Sequence, residues 1–308
     1  MPLPPEFDEI AKRVNNWGRW GEGDEIGTLN LITDAVVHEA AATVLTGRRV
    51  ALAVSLRRRG VQTGLIPGRV NPVHTMTSVN REDFGPGSVA TSDDIVTMGL
   101  QAGTHWDALP HVSHGGRIYN GRPADSITAH ARAAFSGIDK ARHVVSRGVL
   151  LDVARARGVD GLDPGYAVTP EDLEAAEDMG AVSVGPGDIA LVRTGHMRCY
   201  LAGDRSAYGN ASPGLSIRTP EWFHARDVAA VASDTLCFEV FPPEIEGLWL
   251  PVHALHLVEM GMMQGQNWNL EELSAACAQE RRYAFLLTAT PEPFEGAVGA
   301  PVAPVAVL

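Results

Sequence analysis

The 308-residue sequence predicts an α/β fold built around a mixed β-sheet. Short apolar, β-branched runs occur along most of the chain, helical segments with capping signals lie between them, and the two kinds of segment do not alternate strictly. Consecutive β runs between residues 49 and 100 favour some antiparallel pairing. No low-complexity linker divides the chain, so residues 1–308 are interpreted as one domain.

Six runs are predicted to be strands because each is short and has Gly, Pro or charged residues at or near most of its ends. They are Arg49–Leu56, Ile95–Leu100, Val149–Val153, Asp188–Thr194, Val228–Ser233 and Ala284–Thr288. The apolar, Pro- and Ala-rich end of the chain, residues 296–308, is expected to form either a docked terminal strand or an oligomer contact.

Four helices are predicted from their boundary signals. Thr33–Thr46 is rich in Ala and Val and is followed by a glycine, a common helix stop. Thr169 and Thr219 each precede a proline and an acidic residue, the order of an N-cap, a first helical residue and a carboxylate near the positive end of the helix dipole. Asn269 and Glu272 resemble a capping box before a fourth helix, over residues 271–279.

The acidic composition argues against nucleic acid as a partner. The formal net charge is -12 and the isoelectric point about 5.3, whereas phosphate binding needs clustered Lys and Arg. The short run Arg57–Arg59 is interpreted as a solvated strand end. The three cysteines lack CxxC spacing, and their odd number fits reduced thiols.

A cytoplasmic location without a membrane partner is expected. No stretch approaches the ~20 continuous apolar residues of a membrane span. The first 20 residues lack the apolar region of a signal peptide. Within the chain, Pro67–Ser92 is rich in Pro, Gly, Asn and Asp without clear periodicity. A stretch of this length is often a lid or binding loop, and disorder is the alternative that the sequence leaves open.

Residues that carry acid–base and metal chemistry lie directly after the predicted strand Ile95–Leu100. Because alternate residues of an extended chain point the same way, His105 and Asp107 are expected to face one pocket, with Gln101 on the same side. Imidazole and carboxylate together suit Zn²⁺ or Mn²⁺, and water bound to such a metal can attack a carbonyl. His111, near its unperturbed pKa of ~6.5, can move protons. On spacing alone, polar loop residues satisfied by hydrogen bonds remain the alternative.

The stretch Gln101–His111 resembles the cyclase family that includes bacterial kynurenine formamidase and isatin hydrolase. The family pattern is H-x-G-T-H-x-D-x-P-x-H, and this sequence reads Q-A-G-T-H-W-D-A-L-P-H, with the proline one position late. Four further blocks carry the likeness, which therefore covers nearly the full chain: Trp20–Asn30, Gly187–Gly195, Pro213–Glu239 and His253–Leu270.

This resemblance implies a swivelling β/β/α fold and a metal-dependent hydrolase that acts on a C–N amide, lactam or lactone carbonyl of a small metabolite. It implies that His105 and Asp107 bind the metal and that His111 is the general acid/base. It also implies subunits that share active-site walls, so a homo-oligomer, dimer or tetramer, is expected.

Two glutamines depart from the family pattern. Gln101 stands in place of the first ligand His and Gln266 in place of a distal Glu, while His253 matches the distal His. A neutral amide is a poor ligand for Zn²⁺, so two metals are not expected. The sequence leaves open a single Mn²⁺ or Zn²⁺ on His105, Asp107 and either Gln101 or His253, or no metal at all.

The remaining candidate residues surround the motif. In the absence of a metal, His105 and His111 are expected to act as acid and base, with Gln101 and Thr104 as hydrogen-bond donors to the reacting carbonyl. Trp106, Tyr119, Asn120 and Gln266 are expected to contact substrate, although a turn with Asn at positive φ fits the pair Tyr119–Asn120 equally well. Two other functions stay open: a metal-independent cyclase, dehydratase or lyase of secondary metabolism, and a small-molecule binding protein without catalysis.

Overall fold

One mixed sheet organises the structure, a computed structural model that describes residues 5–129 and 132–308. The strands in chain order are β1 (Arg49–Ala51), β2 (Val73–Arg81), β3 (Thr91–Thr97), β4 (His105–Asp107), β5 (Val145–Asp152), β6 (Ala167–Val168), β7 (Ile189–Arg193), β8 (Gly214–Leu215), β9 (Ala230–Ser233), β10 (Met263–Gln266), β11 (Ala284–Thr288), β12 (Gly299–Pro301) and β13 (Val305–Val307). The main sheet has the order β1-β13-β11-β5-β7-β9-β10-β4-β12.

The helices lie between these strands. In chain order they are α1 (Pro5–Val14), α2 (Asp34–Ala41), α3 (Val153–Ala156), α4 (Pro170–Gly180), α5 (Met197–Leu201), α6 (Arg205–Asn210), α7 (Thr219–Ala225), α8 (Pro251–His253) and α9 (Glu271–Glu280). A π-helical segment, Ala254–Met260, continues α8. In the described residues, no helix has the length and apolar character needed to cross a membrane.

The sheet curls until its two edges come close. Strands β5, β7, β9 and β10 are parallel, and the strands on either side of them pair antiparallel. β12 forms one edge, yet only residues 302–304 connect it to β13, which lies next to the opposite edge. Because a chain spans at most about 3.6 Å per residue, the edges must approach each other. The backbone N–H of Leu52 accordingly donates to the carbonyl of Pro304 (2.9 Å).

The inside of the curl forms one apolar core and its outer face forms another. Trp106 and Trp268 meet edge to face inside the curl, with ring centroids 4.9 Å apart. On the outer face, apolar residues of β5, β7 and β9 pack against α1, α4 and α7. Since successive strand residues point to opposite faces, His105 and Asp107 lie on the face opposite to Trp106.

The predicted mixed-sheet α/β fold is confirmed, and the runs at 149–153, 188–194, 228–233 and 284–288 lie on β5, β7, β9 and β11. Two strand predictions need correction. The run Arg49–Leu56 pairs in the sheet only as far as Ala51. The run Ile95–Leu100 overlaps β3, which ends at Thr97 and pairs with β2 in a separate hairpin, because the chain turns at residues 98–104 before it enters the sheet as β4.

The helix-start prediction at Thr169 is confirmed, because its hydroxyl accepts from the N–H of Asp172, whose carboxylate accepts from the N–H of Thr169. The other three helix predictions hold in part. Thr33 caps α2, but that helix ends at Ala41 instead of residue 46. Residues 218 and 270 are the N-caps of α7 and α9, in place of the predicted Thr219 and Asn269.

Two segments that the sequence left open are ordered. Within Pro67–Ser92, β2 and the start of β3 build an antiparallel hairpin whose residues are mostly exposed. The carboxyl end supplies β12 and β13, so it is a docked terminal segment of the main sheet.

Candidate active site

The site lies on the outer face of the curled sheet, around β4. β10 pairs antiparallel with β4 so that Gln266 lies opposite His105. These two side chains therefore share a face with Asp107. His111 follows at the end of the 3₁₀ turn Leu109–His111, and His253 closes α8.

The carboxylate of Asp107 is the centre of this group and is fully buried. Its Oδ1 lies 3.4 Å from His105 Nε2 and 3.7 Å from His111 Nε2. Its Oδ2 accepts a hydrogen bond from Gln266 Nε2 (2.5 Å) and lies 4.0 Å from His253 Nε2. Three imidazoles and one amide thus surround a single buried carboxylate.

His105 presents a lone pair to that carboxylate. Its Nδ1 lies 2.8 Å from the carbonyl oxygen of Gly103, which can only accept, so Nδ1 carries the proton and Nε2 does not. His105 Nε2 and Asp107 Oδ1 are buried, and neither has a hydrogen-bond partner among the described residues. Two acceptors facing each other require a shared cation or a proton. Two ligands bound at about 2.1 Å to one tetrahedral metal lie about 3.4 Å apart, which fits this pair.

Gln101 supplies an amide beside the pair. A Cβ added at Gly299 would lie 2.7 Å from Gln101 Nε2 and 3.4 Å from Asp107 Oδ1, which places the amide next to the carboxylate. A half-turn of the amide presents its oxygen instead. No set of three His, Cys, Asp or Glu side chains within the described ranges could hold a metal ion. The group around Asp107 Oδ1 thus combines one imidazole, one carboxylate and one amide.

Gln266 connects Asp107 with His253. Besides its hydrogen bond to Asp107, Gln266 Nε2 lies 3.3 Å from His253 Nε2. His253 Nδ1 donates to the carboxylate of Glu239, which also accepts the backbone N–H groups of Val252 and His253 (both 3.1 Å). His253 Nε2 is therefore an acceptor, and the two amide hydrogens of Gln266 bridge Asp107 and His253.

The environment sets the charge of the two central groups. Burial lowers the pKa of His111 to about 4, although the carboxylate of Asp107 opposes that shift, so His111 is neutral at pH 7. Burial alone would raise the pKa of Asp107, but His111, His105 and His253 together hold that pKa well below its usual range. A neutral imidazole next to a permanent carboxylate can accept a proton from water.

A cavity of about 440 Å³ adjoins this group, although Gln101, His105 and Asp107 are not among the residues that line it. Its polar residues include His111, His253 and Gln266, and Arg69 Nη2 donates to His111 Nε2 (3.2 Å). Its apolar wall consists of Leu65, Ile66, Leu236, Val240, Phe241, Pro243, Trp249 and Leu250. The volume is that of a pocket for a small metabolite.

The side chains of two motif residues, Thr104 and Trp106, form hydrogen bonds within the fold. The hydroxyl of Thr104 donates to the carbonyl of Asn267 (2.6 Å) and accepts the N–H of Val54 (2.9 Å). Trp106 lies in the core inside the curl, and its Nε1 donates to the carbonyl of Ala289 (2.7 Å). Neither side chain lines the cavity.

Tyr119 and Asn120 also lie away from the cavity lining. The hydroxyl of Tyr119 donates to Asp24 Oδ2 (2.8 Å). Asn120 has a φ of 59° and accepts the N–H of Gly18 (2.8 Å). This is the turn that the sequence left open as the alternative.

The cavity contains residues that sequence reasoning did not single out for function. Arg69 comes from the Pro- and Gly-rich segment interpreted as a lid or loop, which was the only signal for it. Glu239 is the last residue of one of the four blocks that carry the family likeness. Phe241 and Trp249 carry no motif that would indicate a pocket wall.

Comparisons with known proteins identify relatives of the chain in sequence and in fold. A family model described as "Putative cyclase" matches residues 33–240. A crystal structure of a novel cyclase is 35% identical, covers 96% of this chain and 100% of its own, and superposes with a TM-score of 0.88. An isatin hydrolase bound to the product analogue thioisatinate is 18% identical over 90% of this chain and 98% of its own (TM-score 0.64). A predicted metal-dependent hydrolase from Bacillus stearothermophilus is 14% identical over 84% and 97% (TM-score 0.54). No curated protein matches the sequence.

Proposed function

Because the chain belongs to the cyclase family, we propose that it is a hydrolase of the amide, lactam or lactone carbonyl of a small metabolite. One observation carries the proposal: His105 Nε2 and Asp107 Oδ1 lie 3.4 Å apart, buried and without hydrogen-bond partners among the described residues, beside an apolar cavity. The isatin hydrolases among the structural neighbours support hydrolysis at a carbonyl.

One divalent cation, Mn²⁺ or Zn²⁺, fits His105 and Asp107 together with the amide oxygen of Gln101. When bound, such an ion polarises a carbonyl and lowers the pKa of water. Two structural neighbours, described as a predicted and a potential metal-dependent hydrolase, support a cation of this kind.

The protein's own groups hold and move the protons. His111 is neutral at pH 7 and has its lone pair on Nε2, the atom to which Arg69 donates. When that hydrogen bond is released, Nε2 takes a proton from the attacking water as the new C–O bond forms. It returns that proton to the leaving nitrogen or oxygen as the C–N or C–O bond breaks. Gln266 and His253 hold the carboxylate of Asp107 in place. The apolar wall keeps bulk water away and strengthens the electrostatic interactions inside.

The experiment is turnover of a panel of N-formyl aromatic amines, lactams and lactones by wild type and His111→Ala. The substitution should lower kcat by ~10²–10⁴-fold because it removes the proton acceptor. His114→Ala is the matched control: His114 pairs with Glu259 outside the cavity lining, and its loss should leave kcat within about two-fold. A fully active H111A protein would remove the proposal.

A second candidate is a cyclase, dehydratase or lyase that uses no metal. The hydrogen-bonded pair Glu239–His253 favours it, because this pair supplies a second imidazole, besides His111, to the cavity lining. Activity that survives exhaustive chelation, in protein shown by elemental analysis to be metal-free, would establish this candidate. Strict dependence on Mn²⁺ or Zn²⁺ would exclude it.

A homo-oligomer is part of the proposal. The hairpin β2–β3 pairs only with itself among the described residues, and it exposes Val79 (64%), Val96 (53%) and Phe84 (82%). A lone two-stranded hairpin with apolar exposed side chains needs a covering surface, which we assign to a second copy of the chain. Light scattering should find a dimer or larger, converted to monomer by Val79→Asp with Val96→Asp. A monomeric wild type would contradict the assignment.

A further inference from the structure

One cation, the guanidinium of Arg69, lines the apolar cavity. Arg69 is partly buried, lines the cavity and donates through Nη2 to His111 Nε2 (3.2 Å). No carboxylate of residues 5–129 or 132–308 forms an ion pair with it. Three other arginines are paired in the usual way, each with a buried aspartate: Arg147 with Asp188 (2.5 Å), Arg157 with Asp172 (2.9 Å) and Arg193 with Asp152 (2.8 Å).

The position of Arg69 is fixed by its backbone. Its N–H donates to the carbonyl of Ile66 (3.3 Å), and the carbonyl of Val70 accepts the N–H of Gly99 (3.0 Å). A Cβ at Gly99 would lie 3.6 Å from the Cα of Arg69, an ordinary van der Waals distance, so the two segments are in contact. The loop with Arg69 is thus attached to the turn that leads into the site.

The carboxylate nearest in the cavity lining is already occupied. Glu239 accepts three hydrogen bonds, from the backbone of Val252 and His253 and from the ring of His253. Cys237 adds no negative charge, because burial raises the pKa of its thiol to about 11. Apart from the bond to His111, the N–H groups of the Arg69 guanidinium have no partner among the described residues and can bind an anion that enters with the substrate.

We propose that Arg69 binds a carboxylate of the substrate, so that the substrates are small aromatic or alicyclic acids. A guanidinium matches a carboxylate in shape and charge, and the apolar wall strengthens their attraction. Because Arg69 touches His111, the bound carboxylate lies close to the reacting carbonyl. That last point rests on the proposed hydrolase function, whereas selectivity for an anion does not.

The test uses benzoate and benzamide, two probes of nearly the same shape that differ in charge. Calorimetric titration at pH 7.5 should give wild type an affinity for benzoate at least ~10-fold higher than for benzamide. Arg69→Gln should bind the two probes equally, and Arg69→Lys should retain part of the preference. Arg58→Gln is the matched control, since Arg58 is exposed, outside the cavity lining, and its loss removes the same charge. It should leave the preference unchanged.

Three results would overturn the proposal: no preference in wild type, no binding of benzoate at millimolar concentration, or a preference that folded R69Q retains. If R69Q does not fold, a complete loss of the preference in folded R69K with the charge still present would also count against it. A wrong hydrolase assignment would give a different result: no compound of the substrate panel would be turned over, while the preference for benzoate would remain.

Discussion

Replacing Gln266 by Glu probes how the site balances its charge. The amide of Gln266 donates to Asp107 Oδ2 at 2.5 Å, and both side chains are buried. Q266E keeps the shape of the side chain, removes the donor and places a second carboxylate oxygen against the first. It also gives this position the residue type that the family pattern has there.

The free-energy cost of Gln266→Glu follows from the distance between the new carboxylate and that of Asp107. Two unit charges about 3 Å apart repel by roughly 5 kcal/mol at an effective dielectric constant of 20. The variant relieves this repulsion by binding a proton, so the pKa of the new carboxyl rises above the value of about 4.3 in the unfolded chain. A raised pKa means that the folded state binds more protons, so stability is retained below about pH 4.3 and lost as the pH rises. At pH 8 the loss approaches about 5 kcal/mol, a third or more of typical folding stability.

The assay is urea unfolding at pH 5 and pH 8, with a chelator or with Zn²⁺. We expect Q266E to lose several kcal/mol at pH 8 in chelator and to regain most of it with Zn²⁺, because the new carboxylate, Asp107 and His253 would share the ion. The control Q266M removes the hydrogen bond without adding charge, and its loss of about 1–3 kcal/mol should not depend on pH. A Q266E protein as stable as wild type at pH 8 in chelator would refute the contact between Gln266 and Asp107.

Three further predictions follow from the same structure. Gln101→His should raise the affinity for Zn²⁺ at least ~10-fold in titrations, since it adds an imidazole ligand beside Asp107; unchanged affinity would place residue 101 outside the site. Trp106→Ala should cost about 3–5 kcal/mol in urea unfolding, against under about 1 kcal/mol for the exposed Trp249→Ala. Burial lowers the pKa of His256 to about 3, so wild type should lose roughly 1.4 kcal/mol per pH unit from this group as the pH falls below about 6.5; His256→Gln should lose less, and an equal slope would contradict the neutral buried ring.

The part of the site on one strand was predictable from the sequence. His105 and Asp107 share a face because strand residues alternate, and that rule needs no knowledge of the rest of the fold. The same rule places Trp106 on the opposite face, in the core, although its position within the motif suggested a substrate contact. Whether a strand side chain reaches the cavity depends on which face of the sheet is covered by other segments. The residues near the motif do not show this.

The position of Arg69 in the site could not be predicted from the residues near it in the sequence. It meets His111 across 42 positions of sequence, and the contact exists only because the loop is held against the turn before β4. Strand β10, which carries Gln266, has the sequence MQGQ and contains no β-branched residue, so its pairing partners decide its conformation. The curl of the sheet brings these segments together. Because the curl depends on how all the strands pair, no single segment of the sequence predicts it.

Hydrolysis is the central claim, and the origin of the oxygen in the product tests it most directly. The substrate panel would be incubated with wild-type protein in H₂¹⁸O and the products analysed by mass spectrometry. We predict that a formamide, lactam or lactone gains one ¹⁸O in its new carboxylate, and that H111A abolishes this gain. Turnover without ¹⁸O incorporation, or with loss of water from the substrate, would contradict the account and assign the site to cyclase or lyase chemistry.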